Sequence, residues 1–280
     1  TLRFANHGLT PIEIAEEIAL PPTLAEEWYS RGYYGTLNHN AKAVYQRYLG
    51  WFDGNPANLH KLPPVEAGKR YVELAGGPDK LLAQVRAAFD QGDYRWAAEI
   101  GNHLVFADPS NADARHIQAD ALEQMGYQAE SGPWRGFYLT AAMELRNPRG
   151  PATGPGLAGA GQVRELPIEQ LLDSLSVRLN GPKAGASYMA FNLTLTDTKE
   201  RYLLTLENAV LHHFKDRTDK SADASIEIAR NEFAQLVLGE KTLDDLVTAG
   251  KAKVSGNGKK MSELVALFDY FNFWFEIAMP

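Results

Sequence analysis

The sequence predicts two domains of different class, an all-helical one followed by an α+β one, and three observations point there. Helical periodicity with capping residues and Pro at first-turn positions dominates from Thr10 to about Arg146. Between Asn147 and Gly161 the composition turns to Gly and Pro, and Pro148-Arg149-Gly150-Pro151-Ala152-Thr153-Gly154-Pro155-Gly156 suits neither a helix nor a ladder. From Ala190 onward apolar and polar residues alternate with the period of a strand. A chain of 280 residues is long enough for two separate cores. The boundaries expected are 1–146 for the helical domain, 147–161 for a linker and 162–280 for the α+β domain.

Thr1-Leu2-Arg3-Phe4-Ala5-Asn6 has no start signal of its own, and the chain is expected to be a C-terminal piece of something longer or a processed product. Thr10-Pro11-Ile12-Glu13 marks a helix start, with a capping Thr, Pro at the first helical position and Glu three after the cap. That helix stops before Pro21-Pro22. A second is expected from Thr23 to about Ser30, with Leu24 and Trp28 on one face. A third is expected from about Asn38 to Leu49, with Ala41, Val44, Tyr45 and Tyr48 sharing a face.

From Pro64 to about Arg146 the pattern stays helical. Gly92 and Gly126 stand 34 residues apart, and Ala97 and Pro109 follow Gly92 at five and seventeen residues. This spacing resembles the tetratricopeptide register, in which small residues let two antiparallel helices approach closely. One clear unit is present where a free-standing solenoid needs three, so these helices are expected to pack on something else, such as a second copy.

In the second domain an amphipathic helix is expected from Pro167 to about Asn180, with Ile168, Leu171, Leu172, Leu175 and Leu179 on its apolar face. Strands are expected at Ala190–Thr196, Tyr202–Glu207, Ala209–Phe214 and Ala224–Ile228, in antiparallel order. Helices return at Arg230 to Leu238, Leu243 to Ala249 and Met261 to Phe268.

Composition excludes several classes. A net charge of −7 and a pI near 5.5 argue against a general nucleic-acid binder. No apolar run approaches the 18 or so residues of a membrane span. With no cysteine there are no disulfides and no thiolate metal ligands. No HxHxD or HExxH pattern occurs. His212 and His213 are neighbours on an expected strand, so their rings point to opposite faces and cannot share a metal. Gly256-Asn257-Gly258-Lys259-Lys260 lacks the spacing of a phosphate loop and reads as a turn.

The densest chemistry lies between Arg31 and Pro56, where 26 residues hold six aromatics, one His, three Asn and three cations. Those residue types give up helix propensity, which an ordinary surface helix would keep. The window Arg31-Gly32-Tyr33-Tyr34-Gly35-Thr36-Leu37-Asn38-His39-Asn40, continuing through Tyr45 to Gly54-Asn55-Pro56, resembles a signature of the secreted bacterial alkyl sulfatases of the metallo-β-lactamase superfamily. The run Ala224 to Phe268, followed by Asp269, Tyr270, Phe271, Phe273, Trp274 and Phe275, resembles the sterol-carrier-protein type 2 family, whose folds enclose an apolar tunnel. An apolar stripe of the same kind also serves simply as core, and the terminal aromatics as a tail folded under the sheet.

The resemblance implies a helical dimerisation domain followed by a lipid-carrier-type domain, both from an enzyme that hydrolyses alkyl sulfate esters to an alcohol and sulfate. It implies two zinc ions held by a catalytic domain this chain does not contain, a homodimer, an amphiphilic substrate and a periplasmic or secreted location. It places the window at the rim of the sulfate pocket, with Tyr45 as the catalytic hydroxyl. Arg31, His39 and Asn40 are the expected substrate-binding groups: a guanidinium matches a tetrahedral oxyanion with parallel donors, and a helix start presents free N–H groups. The alternative is a non-catalytic lipid-binding and dimerisation module.

Overall fold

Short helices begun by Pro or by a capping side chain make up the first part of the chain. The computed structural model describes residues 1–148, 160–269, 271 and 275–280. The chain divides into two compact units, one of Thr1–Gly150 with Glu276–Pro280, the other of Pro151–Phe275. Most of the expected linker, together with Tyr270, Phe273 and Trp274 of the terminal cluster, lies outside the described residues.

In the first unit α1 (Leu2–Ala5) leads to α2 (Pro11–Glu17), whose Thr10 and Glu13 form the reciprocal capping box that the sequence predicts. The helix expected over Thr23–Ser30 is only α3 (Pro22–Ala25) followed by a 3₁₀ turn, Trp28–Ser30. Leu24 and Trp28 are both exposed there, so no packed face sustains a longer helix. α4 (Leu37–Leu49) follows, capped by Thr36. Of its expected face Ala41 and Tyr45 are buried with Ile14, whereas Tyr48 is exposed.

After α5 (Pro56–Leu59) come α6 (Pro64–Leu74), α7 (Pro78–Asp90), α8 (Tyr94–Ala107), α9 (Ala112–Gln128) and α10 (Gly132–Arg146). They share one core around Leu81, Val85, Ala97, Leu104 and Leu145. Small residues set the close crossings. A Cβ on Gly68 would stand 2.6 Å from the His103 carbonyl oxygen, and one on Gly126 2.8 Å from Leu139 Cδ2. Gly92 acts differently: its φ of +77° makes the turn between α7 and α8.

The end of the chain joins this helical unit. Ala278 is buried in its core with Met279 against it, and the Ile277 N–H donates to Glu144 Oε2 at 2.9 Å. The aromatics expected as a tail folded under the sheet precede this segment: Phe271 and Phe275 are exposed, and Tyr270, Phe273 and Trp274 lie outside the described residues. Deleting residues 276–280 takes a donor from the buried Glu144 and is expected to cost the helical unit about 1–3 kcal/mol. An unchanged melting temperature would count against that role.

The second unit opens with α11 (Ala160–Glu165), absent from the sequence expectation, then α12 (Ile168–Arg178) and α13 (Gly181–Ala184). Its sheet comprises β1 (Met189–Leu195), β2 (Arg201–Glu207), β3 (Val210–Lys215), β4 (Ala224–Ile228) and β5 (Ala252–Gly256), in the order β3-β2-β1-β4-β5. Helices α14 (Arg230–Leu238), α15 (Leu243–Thr248) and α16 (Gly258–Val265) complete it. The unit is α+β, as the sequence predicts.

Two details differ from that expectation. β4 pairs with β1 in parallel, with Leu193 opposite Ile226, because residues 216–223 carry the chain back across the sheet before β4 begins. The Asn192 amide holds this crossing, donating to the Asp219 carbonyl and accepting its N–H. β5 was not expected as a strand, since only Ala252 and Val254 of its five residues pack inward. At the far edge Lys215 contacts Glu169 at 2.7 Å and Glu200 at 3.3 Å, tying α12 to the sheet and holding the Glu169 carboxyl down at about 2.

Candidate functional site

Gly32 and Gly35 allow the chain between the 3₁₀ turn and α4 to fold tightly, and that loop is stitched to the start of α10. The Gly132 N–H donates to the Tyr33 carbonyl at 2.8 Å, and the buried Ser131 hydroxyl donates to the Tyr34 carbonyl. The beginnings of two helices, 13 and 15 residues long, therefore meet around one open cleft of about 770 Å³. Arg31, Gly35, Asn40, Glu130, Ser131 and Trp134 are among the residues lining it.

The four expected site residues do not share this cleft equally. Arg31 lines it but forms an ion pair with Glu130, and its guanidinium carbon stands 5.9 Å from the Tyr33 ring centre. An anion entering the cleft would share Arg31 with that carboxylate. Asn40 lines the cleft with its side chain against Gly35, where a Cβ would come within 3.0 Å of Asn40 Oδ1. His39 stands at the rim and is exposed, with its Nδ1 accepting the Trp134 indole N–H at 3.4 Å. In the neutral ring that leaves the proton on Nε2, a donor. The Thr36 hydroxyl accepts the His39 backbone N–H at 2.9 Å, so one of the N–H groups expected to face an anion is already satisfied.

Tyr45 does not line the cleft. Its ring is 8% exposed and packs with Ile14 and Ala41 where α4 lies on α2. The period of 3.6 explains the separation. Tyr45 stands one turn beyond Ala41 on the packed face, whereas His39 and Asn40 belong to the exposed first turn.

The sequence reading missed Trp134, Glu130, Ser131 and Lys42. The first three lie more than 70 residues beyond the window, and no local pattern joins them to it. Lys42 belongs to the window and brings its Nζ within 2.8 Å of Asn38 Oδ1 and 6.0 Å of the Trp134 ring centre. The cleft thus carries one cation, Arg31, one carboxylate, an indole and several amide donors, with Lys42 near the indole. It can hold a small oxyanion or a polar ester group.

Among the described residues no group of three or more His, Asp or Glu side chains could hold a metal ion. Among them, too, no helix is long and apolar enough to cross a membrane. In the second unit the helices and sheet enclose an apolar cavity of about 50 Å³, lined by residues such as Leu193, Ile226, Phe233, Leu264 and Phe268, with the buried Arg178 at its edge. That is well below the roughly 300–1,000 Å³ of ligand pockets. Where the resemblance implies an apolar tunnel, inward Leu, Ile and Phe side chains among the described residues fill most of the space, as the core reading of the same stripe expects.

The model of the alkyl sulfatase dimerisation domain matches residues 10–148, and that of the alkyl sulfatase C-terminal domain matches residues 157–280. A linear primary-alkylsulfatase from Pseudomonas sp. is 47% identical over 280 residues, which are all of this chain and 42% of that protein. The solved structure of the stereoselective inverting sec-alkylsulfatase Pisa1 from Pseudomonas sp. superposes with a TM-score of 0.90 at 46% identity, over all of this chain and 44% of that one. Sterol carrier protein 2 like 2 from Aedes aegypti aligns with 39% of this chain at 16% identity and a TM-score of 0.30, too slight a likeness to support an argument. The chain spans less than half the length of these two alkylsulfatases. It belongs to the alkyl sulfatase family, of which it carries the dimerisation and C-terminal domains.

Proposed function

We propose that this chain is the C-terminal portion of a zinc-dependent alkyl sulfatase, supplying dimerisation and alkyl-chain binding to an enzyme that cleaves alkyl sulfate esters to an alcohol and sulfate. The observation that supports this most is the match of both family domains, over residues 10–148 and 157–280, together with 47% identity to an alkylsulfatase along the whole chain. In this reading the two zinc ions are assigned to a catalytic part of the enzyme outside this chain. What this chain contributes is binding. Arg31, Asn40 and the Nε2–H of His39 are the donors assigned to the sulfate group. Tyr45 is assigned a hydroxyl donor role that rests on the family resemblance alone. The apolar interior of the second unit is assigned to the alkyl chain and must part to admit it. A periplasmic or secreted location and a homodimer complete the reading.

The test uses the complete protein and this chain side by side. The complete protein is expected to contain two zinc ions per chain and to release sulfate from dodecyl sulfate. The 280-residue chain should do neither, yet both should scatter light as dimers at micromolar concentration. A complete protein that forms dimers and binds dodecyl sulfate without releasing sulfate would overturn the enzyme reading in favour of a non-catalytic lipid-binding and dimerisation module.

A further inference from the structure

The apolar cavity of the second unit has a neighbour at the surface. Between the end of α14, the start of α15 and α16 lies a vestibule of about 240 Å³, lined in part by Gly239, Lys241, Asp244 and Ser262. Leu236 and Val265 line both this vestibule and the interior cavity of about 50 Å³. These two side chains therefore form a wall between the two spaces. Both are half-buried and pack on the core, whereas Lys241, Asp244 and Ser262 are exposed. An apolar space behind a polar mouth matches a single-chain amphiphile, whose chain and head differ in the same way.

The wall is made of side chains rather than backbone. Leu236 projects from α14 and Val265 ends α16. Gly239, left-handed at a φ of +73°, ends α14 there and puts no side chain into the mouth. α16 itself is held on both sides. At its start Lys260 Nζ donates to Asp223 Oδ1 at 2.8 Å, and the Asn257 N–H donates to the Asp223 carbonyl at 2.7 Å. Beyond its end the Asn180 N–H donates to the Leu267 carbonyl at 2.8 Å. With the helix pinned, the passage opens by rotation of Leu236 and Val265, a faster motion than the shift of a packed helix.

We infer that this vestibule is the entrance of the second unit for an alkyl sulfate. The chain passes between Leu236 and Val265, and the head stays outside beside Lys241 and Ser262. Lys241 offers the sulfate a cation, and Ser262 a hydroxyl whose bond to the Gly258 carbonyl is long, at 3.5 Å. The sulfate stays in water and avoids the cost of burying a charge. Asp244 stands on the same rim and opposes the head. A molecule held here is stored rather than set for hydrolysis, because its head lies beside groups of the second unit and not those of the Arg31 cleft. The inference rests on the alkyl-chain binding proposed above and names where the chain enters.

The full 280-residue chain tests it with decyl sulfate and 1-decanol, each kept below micelle or droplet formation. The methyl NMR signals of Leu193 and Ile226 report filling of the interior, and their line shapes report exchange. Lys241→Glu should raise the decyl sulfate dissociation constant by about fivefold, the effect of one exposed ion pair, and leave that of 1-decanol unchanged. Asp244→Asn should lower it for decyl sulfate alone. Leu236→Ala with Val265→Ala removes the wall and should quicken the exchange of both ligands by about tenfold or more. Lys241 and Asp244 lie on the surface, so their two arms stand even where the double-alanine variant fails to fold. Decyl sulfate that fills the interior of Lys241→Glu and Asp244→Asn with wild-type affinity overturns this entrance and leaves alkyl-chain binding intact. Equal weakening of both ligands by Lys241→Glu has the same consequence. Decyl sulfate that leaves the wild-type Leu193 and Ile226 signals unmoved overturns both.

Discussion

In the complete protein, Arg31→Ala is expected to lower kcat/KM for dodecyl sulfate by about 10²–10³, the usual cost of removing a donor to a developing oxyanion. Arg31 is the cation that lines the cleft, and its planar fork of donors can meet two sulfate oxygens at once while Glu130 holds it in place. Arg31→Lys keeps the charge and loses the fork, so it should recover only part of the activity. Stability separates this role from a structural one. The Arg31–Glu130 pair is largely exposed, and pairs of that kind contribute about 0–1 kcal/mol. The variant should therefore melt close to the parent. Full kcat/KM in a folded Arg31→Ala protein would remove the cleft from the substrate path.

Tyr45→Ala should act in the opposite way, through the fold. Its ring joins Ile14 and Ala41 in the small cluster that seats α4 on α2, and truncating a buried aromatic costs about 3–5 kcal/mol. With so few buried residues in that arm, the loss should melt it locally, visible as faster hydrogen exchange in α2 and α4 than in α8. Tyr45→Phe keeps the ring and should hold stability to within about 1 kcal/mol. Its turnover then decides the hydroxyl. A fall of about 10²–10³ in kcat supports a donor to the ester, and unchanged kcat and KM make Tyr45 a packing residue only.

The distance between these two residues shows what a window of sequence can and cannot say. The composition of Arg31–Pro56 marked it as unusual, and caps such as Thr10 with Glu13 located helices well, because both signals act over three or four residues. The period of 3.6 already placed Ala41 and Tyr45 on one face. It could not say which face met α2 and which met the cleft. Trp134, Glu130 and Ser131 were out of reach altogether, since they join the window only through the packing of α9 and α10.

The same division holds for the sheet and the tail. Alternating apolar residues predicted β1 to β4, but β4 runs parallel to β1 because of an eight-residue crossing held by Asn192, a contact between residues far apart in the chain. Residues 276–280 carry no local signal for their place in the helical unit, which follows from one buried carboxylate, Glu144, and from the core that takes Ala278. The sequence by itself determined most of the helices, the first four strands and the change of class near residue 150, which local propensity and period carry within a few residues, and its resemblance in the Arg31–Pro56 window pointed to the family. Only the tertiary structure decided which side chains face the cleft, how the strands pair and how small the apolar cavity is. Those depend on close packing between distant segments, which no local pattern encodes.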